Sequence, residues 1–363
     1  MRGAFAEGLR CPCCRAAFAV EVREERAGVV REAALRAPCG RAFPVIEGVP
    51  RILPPDLAAD LPARHPAFFE RHPDLGPVAP TAVRPDSLRT QRAFGDEWRR
   101  FPELLAVHER IFHWYFEGPR PPVFEGRRVL DAGCGMGRWL HFVRRSGAEV
   151  VGMDASPAID VAAAREGDAA DFVQADLRWP PFPPSSFDLV YSFGVVHHLE
   201  EPEAGVGALA GLVRPGGELR LYVYRSLEDE GLARRALLGA VTLLRRVTTR
   251  LPYAALHAVS WMVSALATAF FLLPRRLLRR AALGDRLTRG LPLVHYADVP
   301  FRMLVAEQFD RVGAPLEGRY RADEVEGWLR RAGLEVEAIL PDLGWRVIAR
   351  RPDAGSAATA VTR

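Results

Sequence analysis

Five short apolar runs, RRVLDA, EVVGMD, FVQAD, FDLVYS and ELRLYVY, lie between about residues 91 and 225, separated by helix-length segments. Strands this rich in Val and Leu need cover on both faces. A helix between successive strands supplies it, so the alternation predicts an α/β fold with a parallel sheet wrapped by helices. Such sheets bind ligands at the carboxyl ends of their strands. Three of the runs end in or beside an aspartate, Asp131, Asp154 and Asp176, and the chemistry is expected there.

At 363 residues the chain can hold one large or two modest domains. Residues 1–53 read as a small Cys-bearing unit and 54–90, rich in Pro with little apolar periodicity, as a linker. Residues 91–351 carry the sheet, with a basic, apolar helical insertion at about 228–318, and 352–363 read as a disordered tail. All 49 basic residues are Arg, and neither Lys nor Asn occurs. That bias fits a GC-rich genome better than a binding surface, so no nucleic-acid partner is expected despite the pI near 9.0. No apolar run follows Arg2, and three of the five cysteines fall within four residues. Both features point to the cytoplasm.

The stretch VLDAGCGMGRWL, Val129–Leu140, places Gly133, Gly135 and Gly137 directly after the first strand. Glycines let a ligand lie against the main chain and let a turn adopt positive φ. A tight strand-to-helix turn without a ligand is the simpler reading. A dinucleotide fingerprint would need glycine at 138, where Arg138 stands.

With this G-x-G-x-G loop the sequence resembles the class I S-adenosylmethionine-dependent methyltransferases of type 11, over about 91–225 and again from about 319. The resemblance implies a Rossmann-like seven-stranded sheet, with the helical insertion after strand 5, and S-adenosylmethionine as cofactor. It implies that Asp131, Gly133, Gly135 and Gly137 surround the methionine portion, that Asp154 takes the ribose hydroxyls, and that Asp176 and Leu177 take the adenine. Phe193, in YSFGVVHHL, would lie by the sulfonium and the substrate. RTQRAFGDEWRRF resembles the lead-in helix of related enzymes, and places Phe94 and Trp98 either over the site or in the core.

The resemblance implies in-line transfer of an already activated methyl group, with a base needed only if the acceptor begins protonated. His197 and His198 are the candidates for that base, with helix capping as the alternative. Ser192-Phe193-Gly194-Val195 replaces the Asp/Asn-Pro-Pro-Tyr of many nitrogen methyltransferases, which leaves O- or C-methylation of a small molecule ahead. Methylation of tRNA or protein, and a non-catalytic cofactor-binding scaffold, are the alternatives. FRMLVAEQFDRVGAPLEGRYRADEVEGWLRRAGLEV resembles the C-terminal part of some bacterial methyltransferases, and brings Asp310, Arg319 and Tyr320 into consideration at the acceptor.

CPCCRAAF and LRAPCGRAFPVIEGVPRIL resemble a small zinc-ribbon family found beside methyltransferases or fused to them. Cys11, Cys14 and Cys39 match its ligands, but Arg36 occupies the fourth position, so the N-terminal β-rich unit is a degenerate zinc ribbon. Cys13, His65 or His72 would have to complete a zinc site, or the unit folds without metal.

The insertion carries no charged residue from Pro252 to Leu273 and is flanked by Arg234, Arg235, Arg245, Arg246, Arg275, Arg276, Arg279 and Arg280. If strands of one sheet precede and follow it, a single membrane span is excluded. A re-entrant hairpin, an interfacial helix pair making peripheral membrane contact through 232–290, or a soluble lid over the site remains. Each suggests an apolar or lipid-like acceptor, and the first two a membrane-associated protein.

Overall fold

The computed structural model describes residues 1–353 apart from positions 81, 227, 229–230, 281, 289–290 and 292. Its strands are β1 (Ala19–Arg26), β2 (Val29–Arg36), β3 (Ala42–Ile46), β4 (Val49–Ile52), β5 (Arg128–Ala132), β6 (Glu149–Asp154), β7 (Asp171–Ala175), β8 (Phe187–Phe193), β9 (Val213–Tyr224), β10 (Glu335–Pro341) and β11 (Gly344–Arg350). They join in one sheet in the order β1-β2-β3-β4-β7-β6-β5-β8-β9-β11-β10. From β7 to β9 the pairs are parallel, and β11 and β10 close that edge antiparallel. This is the expected seven-stranded Rossmann-like sheet, and each of the five apolar runs is a strand in it. The chain order reverses at β5, which lies between β6 and β8, and a crevice forms at such a switch point.

The N-terminal unit is β-rich as expected, but it is not a separate body. β4 pairs in parallel with β7, matching Arg51 to Gln174 and Ile52 to Ala175. It thereby covers an edge that would otherwise expose unpaired amides. The join is sealed by the buried Arg51, whose guanidinium pairs with Asp160 at 2.6 Å and donates to Gln174 Oε1 at 3.1 Å. Phe5, Leu9 and Cys11 share one apolar cluster with Phe182, Phe187 and Val190 of the central layer. A boundary at residue 53 therefore cuts through a continuous sheet.

The linker reading of 54–90 is also corrected. Pro55–Ala58, Leu61–Arg64 and Pro66–Arg71 are short helices, and Leu57, Leu61, Phe68 and Leu75 are buried. Each helix has a proline at its first or second position, where the missing N–H costs no hydrogen bond. Prolines that look like linker composition thus start helices. A further helix, Pro85–Arg100, begins inside the same stretch.

Between β9 and β10 stand helices Leu232–Thr248, Tyr253–Leu278, Ala282–Thr288 and Phe301–Gly313. Because β9 and β11 are neighbours, the sheet lies at both ends of this insertion. The Phe301–Gly313 helix is largely buried and packs against the Tyr253–Leu278 and Pro85–Arg100 helices. The side chain of Arg234 and, from 354 on, the expected tail lie outside the described residues.

Candidate active site

The crevice at the switch point opens into a cavity whose sheet side is built from the strand ends. Gly133 and Gly135 line it, together with Asp154, Asp176, Leu177 and Phe193. Gly133 has φ of +88°, and a Cβ there would lie 2.3 Å from Val195 Cγ2, so no side chain fits. Gly137 does not line the cavity. With φ of +79° it is the N-cap of helix Arg138–Arg145, and its bare Cα packs on Ala162, 3.0 Å from where a Cβ would stand. Its glycine serves helix packing, which corrects the ligand role expected for it.

Asp154, at the end of β6, accepts from the Gly135 amide and from the Ser156 amide, both at 2.7 Å. It ties the glycine loop to the next strand, and burial raises its pKa. Asp176 follows β7 and accepts from the Arg178 amide at 3.0 Å and from its guanidinium at 2.7 Å, with Arg84 at 3.6 Å. Burial pushes this carboxyl up to about 7, against the pull of Arg84. Asp131 departs from expectation. It is buried beneath the loop, does not line the cavity, and accepts from the Tyr191 hydroxyl at 2.8 Å. Desolvation pushes it up to about 8, and its bond to Tyr191 braces β5 against β8.

The two histidines separate. His197 is fully buried, stacks on Tyr224 at 3.8 Å, and is absent from the cavity wall. Burial holds its pKa well below the usual range, and neither ring nitrogen has a partner among the described residues. His197 therefore does not face the cavity that His198 lines. His198 lines the cavity. Its Nδ1 donates to the Leu316 carbonyl at 2.5 Å, which leaves Nε2 as the lone-pair nitrogen, 3.9 Å from Asp310 Oδ1. Phe94 meets the ring edge-to-face at 4.9 Å.

Asp310 reaches the cavity, within 3.5 Å of the Tyr224 hydroxyl, and burial raises its pKa while His198 pulls it down. Arg319 instead lies over the Tyr224 ring at 5.1 Å and pairs with Glu317, and Tyr320 packs on Trp328 at 4.7 Å away from the cavity. Trp98 lines the wall beside Gly135, with Arg138 4.6 Å above its ring.

Sequence reasoning missed Glu97, Glu307, Tyr115 and Tyr222, which line the same cavity. Glu97 is 2 % exposed, has no partner for Oε2 among the described residues, and is pushed well up by burial and by Asp310 and Glu307. A signal for it existed: Thr90, Ala93 and Glu97 follow helical spacing on the buried face of Pro85–Arg100, and an acid at a core position is rarely inert.

The thiols of Cys11, Cys14 and Cys39 lie within 4.8 Å of one another. The fourth ligands considered from sequence do not join them. Cys13 and His65 stay out of the cluster, and the His72 ring bonds Glu32 at 2.9 Å.

Residues 130–221 match the family described as methyltransferase domain. A ubiquinone biosynthesis O-methyltransferase of Brucella anthropi is 36% identical over 148 residues, covering 39% of this chain and 58% of its own. A malonyl-[acyl-carrier protein] O-methyltransferase of Enterobacter lignolyticus is 38% identical over 100 residues, covering 28% and 40%. The chain thus spans about half the length of these relatives. Among solved structures, magnesium protoporphyrin IX methyltransferase of Synechocystis PCC 6803 with bound S-adenosylmethionine aligns with 75% of this chain and 100% of its own, at 14% identity and a TM-score of 0.41. A methyltransferase of Haloferax volcanii in complex with the Trm112 methyltransferase activator aligns at 17% identity and a TM-score of 0.41, over 71% of this chain and 97% of its own. The match places a methyltransferase domain at residues 130–221, the stretch that holds β5 to β8 and the glycine loop.

Proposed function

We propose that this protein is an S-adenosylmethionine-dependent methyltransferase acting on an oxygen or carbon of a small, apolar or lipid-like acceptor. The carrying observation is the convergence of Asp154, Asp176, the glycine loop and the His198–Asp310 pair on one cavity. The residues fit the cofactor: Asp154 would hold the ribose, Asp176 and Leu177 the adenine, and Gly133 and Gly135 the methionine portion. Phe193, stacked on Tyr115 at 4.5 Å, would close the apolar side. When bound, S-adenosylmethionine supplies a methyl group made electrophilic by its sulfonium.

His198 is the acceptor-side base. Its Nδ1 proton is fixed on the Leu316 carbonyl, so Nε2 can take the proton of an acceptor hydroxyl. Asp310 faces the same nitrogen and stabilises the imidazolium that forms. Phe94, Tyr115 and Phe193 exclude water from this end. That the two named relatives are O-methyltransferases supports oxygen as the target. The test is incubation of the full chain with methyl-labelled S-adenosylmethionine and a bacterial lysate, followed by partition. Label in the organic phase is expected, and label confined to macromolecules would favour tRNA or protein as acceptor instead.

Cys11, Cys14 and Cys39 would supply three thiolates to a zinc ion. Elemental analysis of the purified chain is expected to find zinc, and to lose it in Cys14→Ser. Metal-free wild-type protein would remove this assignment.

A further inference from the structure

The Tyr253–Leu278 helix exposes apolar side chains while burying polar ones among Leu256, Ala267 and Leu272. Its inward face carries His257, Ser260 and Ser264, all buried, and His257 Nε2 donates to Asp96 at 2.7 Å. Its outward face, read at helical spacing, is Trp261, Met262, Leu266, Phe270, Leu273 and Leu277, every one exposed, Phe270 at 67% and Leu277 at 69%. A helix at a protein–water boundary normally presents the opposite pattern. The helices before and after it also expose large apolar side chains, Leu243 and Val247 on one and Leu283 and Leu287 on the other, by 62 to 69%. Large apolar side chains gathered in this way mark a surface that meets something other than water.

Charge says what that is. Residues 232–290 hold eleven arginines and one acidic residue, a net charge of +10, whereas the whole chain carries +4 and the remainder therefore −6. Arg246, Arg250, Arg279, Arg280 and Arg286 are exposed beside the apolar residues. Two copies meeting through this face would oppose these exposed arginines to one another. An apolar layer beneath a negative surface satisfies both features at once.

We propose that the outward face of this insertion is a docking surface for an anionic lipid bilayer, on which the Tyr253–Leu278 helix lies in the plane. The helix is long and apolar enough to cross a membrane by length and composition. Crossing is opposed by its inner face, because His257, Ser260 and Ser264 and the Asp96 bond would enter hydrocarbon. It is opposed too by the sheet, since β9 and β11 are neighbours and hold both ends of the insertion on one side. Interfacial helices instead sink about 5–10 Å into the boundary layer, and the arginines then reach headgroup phosphates. The inner side of this helix packs on Phe301–Gly313, whose Glu307 and Asp310 line the cavity. Docking therefore sets the acceptor side of the cavity next to the lipid. This inference is independent of the methyl-transfer reading, because the surface exists whether or not the cavity turns over.

The test is flotation of the full chain with vesicles of phosphatidylcholine alone and of phosphatidylcholine containing one-third phosphatidylglycerol. Binding to the anionic vesicles at least about tenfold above the neutral ones is expected, falling with salt. The double variant Leu266→Asp, Phe270→Asp is expected to lose about tenfold or more of that binding at an unchanged melting temperature, since both side chains are already in water. Quenching of Trp261 by brominated acyl chains, absent in Trp261→Phe, is expected to place this face among the lipid tails. Failure to float with anionic vesicles overturns the proposal, as does flotation of the double variant equal to wild type. A dimer that dissociates in the double variant without vesicle binding overturns it in favour of self-association. Resistance to alkaline extraction overturns the in-plane arrangement.

Discussion

The cavity has two walls of different origin. One consists of strand ends and the loops that follow them, and contributes Gly133, Gly135, Asp154, Asp176 and Phe193. The other consists of helices Pro85–Arg100 and Phe301–Gly313, and contributes Phe94, Glu97, Glu307 and Asp310. On the sheet wall, backbone topology fixes where a side chain sits, since parallel strands deliver their carboxyl ends to one edge. On the helical wall, position depends on how helices from distant parts of the chain pack. The first wall lies within the family match, and the second lies outside it.

If that division holds, damage to a group that faces the helical wall from the loop after β8 should spare the cofactor. His198→Gln, facing that wall, is expected to lower kcat by about 10²–10³-fold, as for loss of a general base, while leaving the affinity for S-adenosylhomocysteine within about twofold. Steady-state kinetics with calorimetry checks both. An equal loss in the two quantities would dissolve the distinction between the walls.

A smaller effect separates the cavity-lining carboxylates from the bracing one. The pKa of Asp131 in the folded state, about 8, lies above its unfolded value, so the folded protein binds the extra proton in between. Stability associated with this group is present at low pH, falls as pH rises from about 4 toward 8, and is level above that. The slope is at most about 1.4 kcal/mol per pH unit. Asp131→Asn, which keeps an acceptor for Tyr191, is expected to flatten that fall in urea melts between pH 5.5 and 8. An unchanged slope would mean that Asp131 is ionised and available to a ligand after all.

Legibility in the sequence followed the same division. The five parallel strands, the glycine loop, Asp154, Asp176 and the insertion between β9 and the last two strands were readable because spacing along the chain maps directly onto sheet position. Asp131 and Gly137 were misassigned for a related reason: both stand in the motif, but burial turns one toward Tyr191 and packing turns the other toward Ala162. His197 and His198 are adjacent in sequence, and only the fold shows which of them faces the cavity. The stretch 54–90 misled because proline marks helix starts as readily as linkers. The continuity of β4 with β7 had no local signal, since strand pairing across 120 residues leaves no trace in spacing. The exposed apolar face of Tyr253–Leu278 was visible only as apolar length; the polar side chains it buries needed the Asp96 contact to be recognised.

The most direct test of the methyltransferase reading is equilibrium binding of S-adenosylhomocysteine to the full chain and to Asp154→Ala. Micromolar binding by the wild type, weakened about 100-fold or more in the variant while the fold survives by circular dichroism, is the expected result. Absence of binding by the folded wild-type chain at millimolar ligand, or equal binding by the two, would contradict it.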